Sequence, residues 1–126
     1  MSELKELAAE AKHELLTHII PFWRGMRDDK FGGYYGYLSY DLALDEKAEK
    51  GCILNSRITW FFANAYLLYK DGGISEEECE AAGFKGEDLL AEAKHGYEFL
   101  RDHCIDKEYG GIFWSLNYLS LIHISE

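Results

Sequence analysis

The chain has 126 residues, which is enough for one domain with a hydrophobic core. Apolar residues make up 48% of the sequence and aromatic residues 15%, a composition that excludes a disordered chain. The formal charge of −10 argues against nucleic acid or an anionic membrane surface as a partner, because both attract clusters of Lys and Arg.

The three cysteines, Cys52, Cys79 and Cys104, have the spacing of neither a disulfide framework nor a zinc site. We therefore expect reduced, mostly buried thiols in a cytoplasmic protein. The first residues form an acidic, amphipathic pattern and not a signal peptide.

Residues 2–19 carry apolar side chains at helical spacing behind Ser2, which is a suitable helix cap. Pro21 is expected to break or kink this helix. Residues 28–41, DDKFGGYYGYLSYD, predict a tight turn at the two glycines and then a short extended segment. Residues 41–50 are polar and charged and predict a surface loop.

The central stretch, residues 51–70, reads GCILNSRITWFFANAYLLYK and predicts a helix that is apolar on nearly every face. Such a helix is expected to lie inside the protein, covered on all sides. It is too short, and too polar at residues 55–57, to span a bilayer. Arg57 keeps its charge, so it either forms an internal ion pair or points into a cavity.

The central helix is expected to end at Asp71-Gly72-Gly73, because paired glycines are a signal for the end of a helix. Ser75, followed by three glutamates, predicts a capped short turn. A further helix is predicted over residues 86–104. Its inner face is expected to comprise Leu89, Leu90, Ala93, Tyr97, Leu100 and Cys104.

The sequence contains an internal repeat. Residues 106–118, DKEYGGIFWSLNY, align with residues 28–40, DDKFGGYYGYLSY, so that Asp, aromatic, Gly-Gly, aromatic, Leu and Tyr recur at a constant offset. Units of helix, Gly-Gly-aromatic turn and helix stack into larger arrays, because one unit cannot bury both of its faces. About one and a half units are present, which predicts a fragment of a longer fold.

The last residues, 119–126, read LSLIHISE and have neither a helical period nor a polar terminus. An alternating apolar run at a free end would form an exposed edge strand, which tends to pair with other chains. The stretch also resembles the translated read-through of a sequencing adapter. We therefore interpret residues 1–118 as part of one domain and residues 119–126 as a tail that is not native sequence.

Five short motifs, taken in order, carry a family resemblance. They are Pro-Phe-Trp at residues 21–23, Gly-Gly-Tyr-Tyr-Gly at 32–36, Leu-Asn-Ser-Arg-Ile-Thr-Trp at 54–60, Tyr-Glu-Phe-Leu at 97–100 and Asp-Lys-Glu-Tyr-Gly-Gly-Ile-Phe-Trp at 106–114. Across roughly residues 13–118 they resemble the N-terminal part of the N-acylglucosamine 2-epimerase superfamily, most closely the cellobiose 2-epimerases. The Asn-Ser-Arg-x-x-Trp helix between two Gly-Gly-aromatic turns is the most specific of these features.

The resemblance implies an all-α fold, the N-terminal fragment of an (α/α)6 barrel with short β-like Gly-Gly-aromatic turns between its helices. It implies a small-molecule sugar, a disaccharide or a monosaccharide, that is epimerised at C2 of its reducing-end aldose through an enediolate. Two histidines of the family act as acid and base, and a fixed cation stabilises the enediolate charge. This chemistry implies neither a metal nor another cofactor.

The resemblance also implies roles for particular residues. Arg57 matches the active-site arginine of the family, which implies substrate binding and stabilisation of the enediolate. Trp60, one turn later, either lines the cleft or packs in the core. Phe113 and Trp114 either stack on a sugar ring or pack the second turn onto its helix. Asn55 is a further substrate-binding candidate that also fits a cap at the helix start.

The catalytic acid and base are not found among the histidines of this sequence. His13, His18, His95 and His103 match no catalytic position of the family and are expected at the surface. The acid/base pair is therefore expected beyond the end of this chain, and we expect the chain alone to be inactive.

Two other classes of function remain open. One is a small helical module that binds carbohydrate or protein without catalysis. The other is a glycoside hydrolase, which needs two carboxylates beside the sugar; Asp28, Asp29 and Asp106 lie at turns, where acids are commonly turn-formers. For the fragment of a barrel, an inner helix without a complete ring exposes apolar surface, so we also expect self-association, whereas a folded monomer would favour the binding module.

Overall fold

The computed structural model describes residues 2–36, 38, 44, 49–113 and 115–116, and most of them are helical. The helices are α1 (Ser2–Glu14), α2 (Ile20–Gly25), α3 (Cys52–Lys70), α4 (Glu76–Ala81) and α5 (Gly86–Phe99). Two π-helical segments, Leu15–Ile19 and Leu100–Cys104, join α1 to α2 and extend α5. Two short strands, β1 (Lys50–Gly51) and β2 (Ser115–Leu116), pair antiparallel. In the part of the chain that is described, no helix is both long and apolar enough to cross a membrane.

Pro21 does not break the first helix, which continues through the π-helical segment into α2. Proline has no N–H to donate, and its ring clashes with the carbonyl four residues earlier. The wider π turn lies immediately before Pro21, where the Ile20 N–H donates to the Leu15 carbonyl. The π-helical hydrogen bond therefore accommodates Pro21, and the helix continues from α1 into α2.

The boundaries predicted for the later helices are confirmed. α3 ends at Lys70, and Gly72 follows with a φ of +88°, a conformation that favours glycine. α4 begins at a capping box in which Ser75 and Glu78 each accept the other's backbone N–H. α5 and the second π-helical segment together cover residues 86–104, as predicted.

The prediction that α3 is covered on all sides is wrong. Its buried residues, Cys52, Asn55, Ile58, Phe62 and Ala65, form one stripe that faces the core. The opposite side is exposed, with Trp60 70% and Leu67 57% accessible. The helices described pack against one side of α3 only, mainly through α5. The apolar residues on the other side of α3 are therefore not packed against any helix that the structure describes.

The core between α3 and α5 is built around Tyr34, which is fully buried. Its ring stacks on Phe62 at 5.7 Å and meets the His95 ring edge-on at 5.5 Å. Fully buried Ile20 and Leu89 belong to the same hydrophobic cluster. Tyr97 was predicted on this inner side but is 57% exposed, whereas Glu92 is buried.

The internal repeat is confirmed at the level of individual hydrogen bonds. In the first Gly-Gly turn (residues 28–35), the Asp28 N–H donates to the Gly33 carbonyl and the Gly32 N–H donates to the Asp28 carbonyl. In the second Gly-Gly turn (residues 106–113), Asp106, Gly110 and Gly111 form the same pair of bonds. The aspartate Oδ1 in each turn accepts two further backbone N–H groups. All four glycines have positive φ, so both turns need glycine at these positions.

Candidate functional site

The exposed stripe of α3 carries the main candidate residues. Ile53, Arg57, Trp60, Asn64 and Leu67 follow one another at intervals of three or four and therefore share one side of the helix. All five are exposed. We call this side of α3, defined by these five residues, the open stripe.

Arg57 has no hydrogen-bond or ion-pair partner among the residues that the structure describes. The buried ion pair expected as one alternative is therefore not present in this part of the chain. An exposed cation between Ile53 and Trp60 is suited to hold a ligand that has both polar oxygens and an apolar face.

Phe113 follows the second Gly-Gly turn, and its backbone N–H donates to the Cys104 carbonyl at 2.8 Å. Its side chain is 41% exposed. Two residues later the chain enters β2, in which Ser115 is opposite Gly51, the residue immediately before α3. Trp114, the other predicted aromatic, lies outside the described residues.

Asn55 is placed differently from the other candidates, in the core below the open stripe. Its side chain is fully buried, and its Oδ1 accepts the Tyr34 backbone N–H at 2.8 Å. Its Nδ2 donates to the Gly51 carbonyl at 2.9 Å. Asn55 therefore joins the first turn to α3, and we correct its assignment from substrate contact to structural residue.

A buried ion pair fixes the start of α3. Lys50 and Asp28 are each 2% exposed, and Nζ of Lys50 lies 2.5 Å from both Asp28 Oδ2 and the Gly32 carbonyl. Burial lowers the pKa of Lys50 although Asp28 opposes this effect. Burial raises the pKa of Asp28, but the hydrogen bonds from Lys50 and from two backbone N–H groups lower it below its usual value. Lys50 was predicted in a surface loop, and its burial corrects that prediction.

Sequence reasoning also missed a buried carboxylate on α5. Glu92 is 3% exposed, and its two oxygens accept from Arg24 at 3.0 Å and Arg27 at 3.3 Å. The hydroxyl of Tyr34 donates to it at 2.9 Å. The signal was available, because Glu92 lies three residues after Leu89, on the side of α5 predicted to face the core. Both arginines are compensated by acids, so this cluster joins α2 to α5 and offers no free cation.

The turn aspartates act as predicted for turn-formers. Asp28 and Asp106 accept backbone N–H groups within their own turns. Asp29 pairs with Arg27 at 2.7 Å. The carboxylates of Asp28 and Asp29 are bound by Lys50 and Arg27, and that of Asp106 accepts from its own turn, so the arrangement does not favour the glycoside hydrolase alternative.

Two histidines are less exposed than predicted. Nε2 of His95 lies 2.8 Å from the Gly33 carbonyl, and the ring of His103 lies 5.4 Å from that of Phe99. His13 and His18, on the first helix, are exposed as predicted. Within the described ranges, no group of three or more His, Cys, Asp and Glu side chains is arranged to hold a metal ion.

No protein-family model matches the sequence. Comparison with curated proteins finds a cellobiose 2-epimerase of Ruminococcus albus, 48% identical over 112 residues, or 89% of this chain and 25% of the relative. A cellobiose 2-epimerase of Eubacterium cellulosolvens is 49% identical over 105 residues, 83% of this chain and 22% of the relative. The chain thus spans about a quarter of the length of the curated relatives it matches.

Solved structures give the same result. The cellobiose 2-epimerase of Bacillus thermoamylovorans has a TM-score of 0.76 and 36% identity, over 90% of this chain and 26% of that one. A sugar epimerase from a ruminal bacterium has a TM-score of 0.72 and 49% identity, over 88% of this chain and 25% of that one. These matches confirm the resemblance to sugar epimerases and the predicted fold class, part of an (α/α)6 barrel.

Proposed function

Because the chain is similar in sequence and fold to cellobiose 2-epimerases along 89% of its length, we propose that it is the part of a carbohydrate 2-epimerase that carries the substrate-binding arginine. The observation that supports this role is the state of Arg57. Its guanidinium is exposed on the open stripe and has no partner in the described part of the chain.

The proposed chemistry follows from the charge that develops during epimerisation. Removal of the C2 proton from the open-chain aldose leaves negative charge on O1 and O2, and a fixed guanidinium beside these oxygens stabilises the enediolate. Trp60 and Phe113 offer aromatic faces on which a sugar ring stacks. The acid and base that move the proton come from histidines outside this chain, so the isolated chain does not epimerise.

The proposed substrate is a reducing-end aldose, as cellobiose or a related disaccharide or as a free monosaccharide. The open stripe combines the Arg57 cation with apolar surface, which suits a sugar that presents hydroxyl oxygens on one side and C–H groups on another. The free thiols of all three cysteines agree with a cytoplasmic location.

A chimera tests this proposal. The 112 matched residues of the Ruminococcus albus cellobiose 2-epimerase are replaced by those of this chain, and conversion of cellobiose to its C2 epimer is measured. We expect activity in the chimera, and Arg57→Ala is expected to lower kcat about 10²- to 10³-fold. Lys70→Met, an exposed change at the end of α3, is the matched control.

Two outcomes contradict the proposal. One is a folded chimera with no epimerase activity; if the 126-residue chain still binds cellobiose, a binding module becomes the better interpretation. The other is a chimera in which Arg57→Ala epimerises as fast as the unchanged protein, which removes Arg57 from the reaction.

We also propose that the isolated chain associates with a second copy through its uncovered apolar surface. Leu4 and Leu7 on α1 are 66% and 62% exposed, and Leu67 on α3 is 57% exposed. Sedimentation at increasing protein concentration is expected to show self-association that Leu67→Lys reduces. Ala91→Lys, at an exposed position of α5, adds the same charge elsewhere and is expected to leave association unchanged.

A further inference from the structure

Asn55 and Arg57 lie two positions apart on α3 but on nearly opposite sides of it, because two residues correspond to about 200° of helical rotation. Asn55 is fully buried on the core side, whereas Arg57 is exposed on the open stripe. Both belong to the first two turns of α3, which begins at Cys52. The contacts that hold the core side of these turns therefore also determine where the backbone of Arg57 lies.

The amide of Asn55 binds to two separate parts of the chain. Its Oδ1 accepts the Tyr34 N–H of the first Gly-Gly turn at 2.8 Å, and its Nδ2 donates to the Gly51 carbonyl at 2.9 Å. Gly51 immediately precedes α3, provides no side-chain cap for the helix and is paired with Ser115 in the strand ladder. One side chain thus joins the first Gly-Gly turn and the strand pair to the first turn of α3.

The packing around Asn55 leaves little room for the helix to shift. A Cβ added at Gly33 would lie 2.8 Å from Asn55 Oδ1. One helical turn later, Thr59 Oγ1 donates to the Asn55 carbonyl at 2.8 Å, and a Cβ added at Gly96 of α5 would collide with the Thr59 side chain. The core side of α3 is therefore in close contact with its neighbours both before and after Arg57 in the sequence.

We propose that Asn55 is a positioning residue for Arg57, an inference that rests on the role proposed above for Arg57 in the reaction. Without the Asn55 amide, the buried N–H of Tyr34 and the carbonyl of Gly51 lose this partner, and the first turn of α3 shifts or admits water to replace it. Arg57 lies five residues after the start of the helix and moves with this turn. A displacement of ~1 Å lowers a rate up to about 10²-fold, so a small shift weakens the stabilisation of the enediolate.

The chimera with the Ruminococcus albus enzyme tests this role through Asn55→Leu, Arg57→Ala and the double variant. Asn55→Leu is expected to lower kcat for cellobiose at least about tenfold and to change KM less, because the enediolate charge develops only in the transition state. In the Arg57→Ala chimera the same substitution is expected to lower kcat less than about twofold, because the guanidinium through which Asn55 acts is already absent.

Two further variants separate positioning from stability. Ser75→Ala removes the cap of α4, away from Arg57, and is expected to lower the melting temperature while kcat, measured below that temperature, stays unchanged. Asn55→Asp keeps an oxygen acceptor for the Tyr34 N–H in a side chain of nearly the same size. It is expected to retain more activity than Asn55→Leu, and it provides the same comparison with and without Arg57 if Asn55→Leu does not fold.

The proposal is overturned if the folded Asn55 variants keep the kcat of the unchanged chimera. It is also overturned if they lower kcat by the same factor with and without Arg57, which is the result of a purely structural role. Both results require an active chimera that depends on Arg57, so they leave the proposed function intact. An inactive chimera, or one that Arg57→Ala does not slow, contradicts the proposed function and the role of Asn55 together.

Discussion

Asn55 and Tyr34 are joined by a buried hydrogen bond in which the backbone N–H of Tyr34 donates to Asn55 Oδ1 at 2.8 Å. The bond connects the first Gly-Gly turn to α3 across 21 positions of sequence. It explains why an amide, two residues before Arg57, is present on the core side of an otherwise apolar helix.

Asn55→Leu is expected to lower the free energy of unfolding by about 2 kcal/mol, because the buried N–H of Tyr34 loses its acceptor. Urea unfolding followed by circular dichroism measures the change. Asn64→Leu on the same helix is the control, because Asn64 is exposed and donates to the Trp60 carbonyl of its own helix. Equal losses for the two variants would show that the buried bond is not what stabilises the turn.

Lys50→Met is expected to lower the free energy of unfolding by more than Asn55→Leu does, by about 3–5 kcal/mol, because it leaves the Asp28 carboxylate buried without its cation. Unfolding of Lys50→Met, Asp28→Asn and the double variant gives the coupling energy between the two residues. Arg101 and Asp102, an exposed pair at 2.8 Å, provide the comparison and are expected to couple by less than about 1 kcal/mol. Similar coupling energies for the two pairs would contradict this assignment.

Alanine substitutions at Gly33 and Gly111 are expected to differ, although both glycines have positive φ. Each substitution costs about 1 kcal/mol for the backbone conformation. Gly33→Ala additionally forces its Cβ against Asn55 and Phe99, whereas the Cβ of Gly111→Ala meets no atom of the described residues within 4 Å. Thermal unfolding should therefore show a larger loss for Gly33→Ala, and equal losses would mean that the first turn is less tightly covered than described.

The stability of the chain is expected to fall as the pH decreases below about 6.5, and His103 contributes to this fall. Burial lowers its pKa, and the nearby Lys50 acts in the same direction although Asp102 opposes it. Its buried Nδ1 has no hydrogen-bond partner in the described part of the chain. As the pH falls, the unfolded chain therefore takes up the proton before the folded chain does. Stability decreases from the pKa of His103 in the unfolded chain down to its lower pKa in the folded chain.

Melting temperatures between pH 8 and pH 5 measure this effect. His103→Asn is expected to flatten the curve near pH 6, whereas His13→Asn, on the exposed side of α1, is expected to leave it unchanged. An unchanged slope in His103→Asn would show that other groups cause the loss of stability.

The three cysteines are expected to react slowly with a thiol reagent in the folded chain. All three are buried and free. Burial raises the pKa of Cys52 and of Cys104, and it raises that of Cys79, together with nearby acids, to about 11. Colour development with a disulfide reagent should be fast only in denaturant, and rapid labelling of folded protein would contradict the described burial.

The helices and the repeat were predictable because their signals are local. Glycines, caps and apolar spacing determined the ends of α3 and α5, and the repeated Asp-x-x-aromatic-Gly-Gly pattern predicted two turns that share the same hydrogen bonds. The burial of Lys50 had no such local signal, and that of Glu92 was indicated only by its spacing from Leu89. Each is buried only because partners distant in sequence, Asp28 for one and Arg24 with Arg27 for the other, meet it in the folded chain.

The candidate site was predicted in part. Arg57 and Trp60 share the open stripe, whereas their binding of a sugar, like that of Phe113, stays a prediction. Asn55 has the right sequence position but points into the core, because a side chain two residues before Arg57 lies on another side of the helix. Apolar content alone did not reveal which side of α3 remains uncovered.

The position of Lys50 also has a consequence for how the chain folds. Its ammonium group lies over the rings of Tyr35 and Phe99, at 5.5 Å and 5.4 Å, while it binds Asp28. Its burial is therefore complete only when segments from the beginning, middle and end of the chain have met. We therefore expect that the first two helices and their turn do not fold by themselves and that the smallest cooperative unit extends to α5. Shortening the chain before Phe99 should abolish cooperative unfolding and not merely lower the stability.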